Sequence, residues 1–257
     1  MQRLLEIYQY REMLINLVAK ELRARYKGSF FGFMWTFFNP LFMLIIYTVV
    51  FSYFMRIQVE NYSMFLFVAL LPWNFFQTSL TMGVSSIVSN SSLVKKIYFP
   101  REILPLSVTL SNLVNYALSL VILLPALLFF KIELSFNILW FPVVLLFQFL
   151  FVYGMALIVS ALNVYFRDLE HITGIVMMAW FFLTPVLYPL KMVPEKVLGL
   201  IYLNPMAPFV ESYRNIFFYG RPPALTDVGI MLPVGLLFFL LGGLVFARLQ
   251  REFAEEV

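Results

Sequence analysis

His171, the single histidine of the chain, stands beside Glu170, and an imidazole next to a carboxylate is the one place where proton transfer near neutral pH could be staged. Nothing joins it. The sequence holds no H-E-x-x-H pattern to carry a zinc, no G-x-S-x-G elbow to expose a nucleophile, and no cysteine for thiolate or disulfide chemistry. It also holds no G-x-x-x-x-G-K-[ST] loop, whose backbone amides and lysine would cradle nucleotide phosphates. His171 is therefore read as structural, no metal site or resident cofactor is expected, and the chain is not read as an enzyme. If it does work on a substrate, that work must come from a partner that grips it. The best grip is residues 90–102, with Ser91 or Ser92 as a cap, a short basic amphipathic turn through Lys95 and Lys96, and Pro100 to end it. The same residues read equally well as an ordinary basic loop.

Such a loop needs elements to hold it, and composition says what they are. Of 257 residues, 62% are hydrophobic and 12% charged, whereas a soluble protein carries about a quarter charged residues. Lipid is the solvent that reconciles these figures. Aromatic residues make up 19%, including 30 Phe, and Phe is at home in hydrocarbon while Trp and Tyr favour its boundaries. The net charge of +4 is not gathered into a dense patch, so anionic membrane lipids rather than nucleic acid are the expected counterpart.

A spanning helix needs about 20 apolar residues to cross a core of about 30 Å. Six stretches qualify, flanked by Lys27 and Arg56, Glu60 and Lys95, Glu102 and Lys131, Glu133 and Arg167, His171 and Lys191, and Asp227 and Arg248. The second is too long for one crossing but turns polar after Gln77, so it is read as one helix with a wet end. A shorter apolar run between Lys196 and Glu211 is broken by Asn204, Pro205 and Pro208, because prolines remove backbone donors. It is read as a re-entrant or interfacial hairpin. The expected fold is thus an all-α integral membrane protein with about six transmembrane helices, an N-terminal amphipathic interfacial helix, and a re-entrant outer-face hairpin between helices 5 and 6. Residues 1–29 form the cytoplasmic interfacial segment and residues 30–257 the transmembrane domain.

Lys and Arg accumulate in cytoplasmic loops, and with six crossings one face collects twelve of them against six on the other. Both termini are therefore expected in the cytoplasm. The first apolar run follows a long segment of mixed charge, so no cleavable signal peptide is expected. In that segment Asn16, Lys20, Arg23 and Lys27 share one arc of a helix, opposite Leu14, Leu17, Val18 and Leu22. Glu21 and Arg25 fall inside the apolar arc, spaced as an i to i+4 pair. Two readings stand: an anchor held by lipid alone, and a helix docked on protein with that pair satisfied at an interface.

No charged residue lies inside the six apolar gaps. Proton- or sodium-coupled carriers usually keep an ionisable residue there as a relay or ligand, so a self-sufficient carrier is disfavoured. A channel and a membrane enzyme acting on lipids are the other competing classes, behind an ATPase-driven exporter.

The chain resembles the permease subunit of the ABC-2 type polysaccharide exporters, most of all the O-antigen exporters, with the teichoic-acid and capsule exporters as relations. Four stretches carry the likeness: residues 20–29 leading into Gly32 and Trp35; residues 90–105; residues 163–169; and residues 183–189 followed by Asn204 and Pro205. The resemblance implies a homodimer in the bacterial cytoplasmic (inner) membrane, paired with two copies of a separate nucleotide-binding ATPase that binds ATP and Mg. It implies that Ser92, Lys95, Lys96, Tyr98, Phe99, Pro100, Arg101 and Glu102 couple to that ATPase. Lys20, Glu21, Arg23, Arg25, Lys27, Arg167 and Asp168 then belong to the cytoplasmic interface. Residues 192–222 become an outer gate, with Tyr188, Pro189, Asn204 and Pro205 at it.

The implied cargo is a polysaccharide on an undecaprenyl pyrophosphate carrier. That gives a task to Phe31, Trp35, Phe38 and Phe42, which recur at spacings of four, three and four as one stripe of the first helix. Sugars stack on such rings. For any single Phe the stronger reading is a packing face against a neighbouring helix or lipid, and Trp35, which can also hydrogen bond, is the better channel candidate.

Overall fold

A computed structural model describes residues 2–54 and 60–257, with only the backbone of residues 2–5, 26, 52, 53, 195, 197, 198 and 254. Arg56, which closes the first charge gap, lies outside the described residues. In chain order the α-helices are α1 (Gln2–Gln9), α2 (Arg11–Tyr26), α3 (Trp35–Tyr47), α4 (Tyr62–Gly83), α5 (Ser91–Lys96), α6 (Ile103–Phe129), α7 (Phe141–Tyr165), α8 (Leu169–Leu183), α9 (Glu195–Tyr202), α10 (Ala207–Phe217), α11 (Leu225–Leu249) and α12 (Phe253–Glu256). Among the described residues there is no strand, as expected where every backbone group must be satisfied within its own segment.

Five segments are long and apolar enough to span: Gly32–Phe51, Tyr62–Gly83, Ile103–Phe129, Phe136–Tyr165 and Leu225–Leu249. The fifth charge gap yields only the 15 residues of α8, about 22 Å of helix. That is short of a crossing on its own. The wet end expected for the second gap follows α4, which stops at Gly83 and gives way to turns and a 3-10 segment, Val88–Asn90.

α4 lies at the centre, buried from Tyr62 through Trp73 and packed by α6, α7, α8 and α10. Its neighbours are held by buried polar side chains, which act as glue between apolar helices. Gln148 of α7 donates to the Pro72 carbonyl (2.9 Å) and accepts from the Tyr213 hydroxyl (2.7 Å), tying α4, α7 and α10 together. The tightest helix pair is α7 and α11, whose backbones meet at glycines: a Cβ at Gly242 would overlap the Gly154 carbonyl, and one at Gly235 would sit 2.7 Å from the Phe147 oxygen. Small residues at such crossings let packing replace the hydrophobic drive that lipid removes. The first span, Gly32–Phe51, is the least covered, with Phe33, Phe42, Ile45 and Ile46 all exposed.

Candidate functional site

The loop after α4 folds into the six-residue helix α5 and an extended run that ends at Glu102. Neither serine caps it. Asn90 holds the capping position with no side-chain cap bond, because its amide is used elsewhere: Nδ2 donates to the Ser86 carbonyl (2.8 Å), and Oδ1 accepts from Lys20 Nζ (2.9 Å). Nor does Pro100 end the helix, which stops at Lys96 when Ile97 turns extended. Ser92, Lys95, Lys96 and Tyr98 are exposed, whereas Phe99 is only 5% exposed and belongs to a second core with Val94, Ile103 and Leu104. Phe99 is therefore an internal anchor of the loop, not an outward one.

Arg101 and Glu102 bind the loop to the chain's end. The Arg101 guanidinium donates to the Gln250 carbonyl and lies 5.9 Å from the Phe253 ring, while Gln250 Nε2 donates to Glu102 Oε1 (3.0 Å). Phe253 is fully buried against Phe246 and Tyr165, and Tyr165 donates to the Leu249 carbonyl (2.9 Å). Tyr10, between α1 and α2, donates to the Tyr98 carbonyl (3.3 Å). Loop, N-terminal helices and C-terminal tail thus enclose one cleft of about 640 Å³.

α2 is docked on protein. Leu17 is buried, Lys20 reaches Asn90, and the Arg25 guanidinium donates to Asn112 of α6 and to Met82 Sδ (3.0 Å). Glu21 is partly buried on the same helix, while Arg23 and Lys27 are exposed and line a cavity of about 800 Å³ with Lys20, Gly32 and Phe33. Arg167 and Asp168 sit apart, exposed at the corner between α7 and α8.

The stripe on the first span is a column of rings. Phe31 meets Trp35 and Phe38 edge to face at centroid distances of 5.7 and 5.4 Å, Phe42 lies 6.0 Å from Phe38, and Trp35 Nε1 donates to Ser29 Oγ (2.8 Å). Phe31 and Phe42 remain about half exposed (48% and 49%), leaving ring surface open to a ligand, lipid or second chain.

At the far end α8 stops at Leu183, and the chain then runs without helix to Pro189. Its carbonyls find donors from later in the sequence. Asn204 Nδ2 donates to the Leu183 oxygen (3.2 Å) and to Thr184 Oγ1 (2.9 Å), while its Oδ1 accepts from Trp180 Nε1 (2.8 Å). The guanidinium of Arg214, fully buried in α10, donates to the Pro185 and Val186 carbonyls and to Glu211 Oε1 (2.7 Å), and it stacks 3.6 Å from the Phe65 ring centroid. The Tyr62 hydroxyl donates to the Leu187 carbonyl. Burial raises the Glu211 carboxyl above its ordinary range, and Arg214 pulls it part of the way back. Tyr188, Asn204 and Pro205 come together on a largely apolar cavity of about 960 Å³ between α8 and α9; Pro189, partly buried, is not on its wall.

The ABC-2 type transporter family model matches residues 13–218, which include the basic loop, the central spans and the stapled break. The chain belongs to this family. It is 39% identical over 254 residues to the O-antigen export system permease protein RfbA of Myxococcus xanthus, covering 98% of each chain. It is 34% identical over 245 residues to the RfbA permease of Klebsiella pneumoniae, covering 95% of this chain and 94% of that one. A more distant likeness, 24% over 250 residues and 92% of each chain, links it to the polysialic acid transport protein KpsM of Escherichia coli.

Within this ABC-2 permease, sequence reasoning missed Arg214, Gln250 and Phe253. The i to i+3 spacing of Glu211 and Arg214 inside an apolar run was a visible signal for the first. Nothing local marks Gln250, whose partners Arg101 and Glu102 lie 149 and 148 residues away, and Phe253 packs partly on Tyr165, from a different helix.

Proposed function

We propose that this chain is the permease subunit of an ATP-driven exporter that moves an O-antigen-like polysaccharide on an undecaprenyl pyrophosphate carrier across the bacterial cytoplasmic membrane. The observation that carries this reading is near full-length similarity to O-antigen export permeases in a chain that has no phosphate loop of its own. Two copies of the chain assemble with two copies of a separate ATPase, which binds ATP and Mg and grips residues 90–102 through exposed Tyr98, Lys95 and Lys96.

The α8 segment with residues 184–189 completes a sixth crossing, since Asn204, Arg214 and Tyr62 satisfy the carbonyls that would otherwise be orphaned in hydrocarbon. Both termini then lie in the cytoplasm, and α9 and α10 form a hairpin that re-enters from outside and acts as the outer gate. Export of a capsule or teichoic-acid polymer is the second reading, favoured by the likeness to a polysialic acid transport protein.

The test is deletion and complementation in the producing cell. Loss of the gene should leave polymer inside and the surface bare, and the chain alone should restore display only when the neighbouring ATPase is present. Purified chain that hydrolyses ATP, or export that persists without any ATPase, would overturn the reading.

A further inference from the structure

A cleft of about 500 Å³ opens between α3, α4 and α6, and much of its wall is polar at membrane depth. α4 contributes Asn74, Gln77, Thr78 and Thr81, α6 contributes Asn115 and Ser119, and Arg25 of α2 also lines the cleft, with its guanidinium donating to Asn112. The α4 and α6 positions recur at helical spacing, so each helix turns a polar strip toward the cleft. The cleft lies within the usual range for small-molecule sites, about 300–1,000 Å³.

The hydrogen-bond valences left open define the ligand. The hydroxyl protons are committed to each helix's own backbone: Thr78 donates to the Asn74 carbonyl (2.6 Å), Thr81 to that of Gln77 (2.9 Å) and Ser119 to that of Asn115 (2.9 Å). Their oxygens remain as acceptors. Gln77 Oε1 accepts from Trp73 Nε1 (2.9 Å), which leaves its amide nitrogen to donate. Asn115 is the decisive residue, since both its Nδ2 and Oδ1 are buried with no hydrogen-bond partner. A buried amide left unpaired is rare in proteins and is explained most simply by a group that arrives from elsewhere. Beside it the rings of Phe75 and Tyr116 stack at 5.8 Å and 16°, forming an apolar wall.

A partner for such a wall must offer donors and acceptors in close alternation together with an apolar C–H face. Acyl chains have no polar groups to pair with Asn115, no carboxylate lines the cleft to hold a cation, and the guanidinium of Arg25 on its wall donates to Asn112 and Met82. We propose that this cleft binds a saccharide segment, its hydroxyls paired to Asn115, Gln77 and the threonine oxygens. The inference rests on the reading of the chain as a polysaccharide permease, and it places contact with sugar on α4 and α6 rather than on the aromatic column of the first span alone.

The test uses the intact exporter in cells fed tritium-labelled glucose. A photoreactive p-benzoylphenylalanine is placed at Asn74 or Thr81 in the cleft, at Phe42 on the aromatic column, and at outward-facing Val114 as control. Light should attach labelled glycan at Asn74 and Thr81 and not at Val114, and the adduct should vanish in cells that cannot start the polymer. Asn115→Leu, which removes an unpaired amide, should keep or raise the melting temperature of the purified chain. The same change should cut both adduct and export by about tenfold, the factor that one or two lost hydrogen bonds give. Thr78→Val provides a second, isosteric reading of the same loss. Labelled glycan at Phe42 but not at Asn74 or Thr81, or unchanged export in both variants, would overturn the cleft while leaving the exporter standing. If no position labels and deletion of the gene leaves the surface polymer intact, the exporter reading itself falls.

Discussion

Tyr98 and Phe99, adjacent in sequence, face opposite ways: Tyr98 is 91% exposed on the basic loop, and Phe99, 5% exposed, is packed into the core beneath it. The pair therefore separates docking from folding. Tyr98→Ala should leave the melting temperature of the purified chain unchanged and reduce co-purification of the ATPase, as expected for an aromatic hot spot worth about 2 kcal/mol or more. Phe99→Ala should lower stability by about 3–5 kcal/mol, the usual cost of emptying an aromatic core site. Thermal unfolding and pull-down of both variants check this, and equal loss of ATPase binding at unchanged stability would contradict it.

Arg101 connects the same loop to the C-terminal tail through the Gln250 carbonyl. Because the acceptor is backbone, changing the Gln250 side chain removes only the Glu102 contact, whereas Arg101→Ala removes the tie itself. Arg101→Ala should cost about 1.5–3 kcal/mol, typical of a bond from a charged donor, and should expose residues 250–256 to protease. Gln250→Ala should do so more weakly. Limited proteolysis followed by mass analysis reads the difference.

Arg214→Met should be among the most damaging single changes in the chain, at about 3–5 kcal/mol, since it strands Glu211 and two carbonyls in the interior. Adding Glu211→Gln should recover part of the loss by removing the stranded charge. A double-mutant cycle on melting temperatures measures that recovery, and strictly additive losses would argue that the two side chains do not act as a pair.

The glycine contacts between α7 and α11 give a matched comparison. Gly242→Ala should destabilise the chain, because its Cβ would overlap the Gly154 carbonyl, while Gly243→Ala, with open space around it, should be neutral or slightly stabilising. Melting temperatures in one detergent decide it.

With no native cysteine, single cysteines report topology directly. Labels at Ser92, Asp168 and Glu255 should come only from the cytoplasm, and labels at Glu133 and Pro222 only from outside. Reaction of Pro222 from the cytoplasm would remove the sixth crossing.

Periodicity and charge spacing were enough to read the helices and the basic loop, because lipid forces every long apolar run into one local structure. Five of the six gaps became helices of spanning length. The fifth did not, and its reason is tertiary: α8 can end early at Leu183 because donors at Asn204 and Arg214 replace the lost helical bonds. The polar strip of α4 was visible only as a run of Thr and Ser; that it faces Asn115 of α6 follows from how the two helices rotate against each other. Ser91 and Ser92 misled as caps because Asn90 is held away by Lys20, a contact across 70 residues. Spacing along a chain cannot disclose such a partner.

The staples on the break after α8 also set an order of events during synthesis. The carbonyls of Leu183, Pro185 and Val186 emerge first, and the side chains that satisfy them, Asn204 and Arg214, come 21 to 29 residues later. In a medium without water those carbonyls have no other partner. If the α8 segment crosses as proposed, residues 169–217 must therefore enter the bilayer as one block, with the α9–α10 hairpin arriving as a condition of that crossing and not as an addition to it.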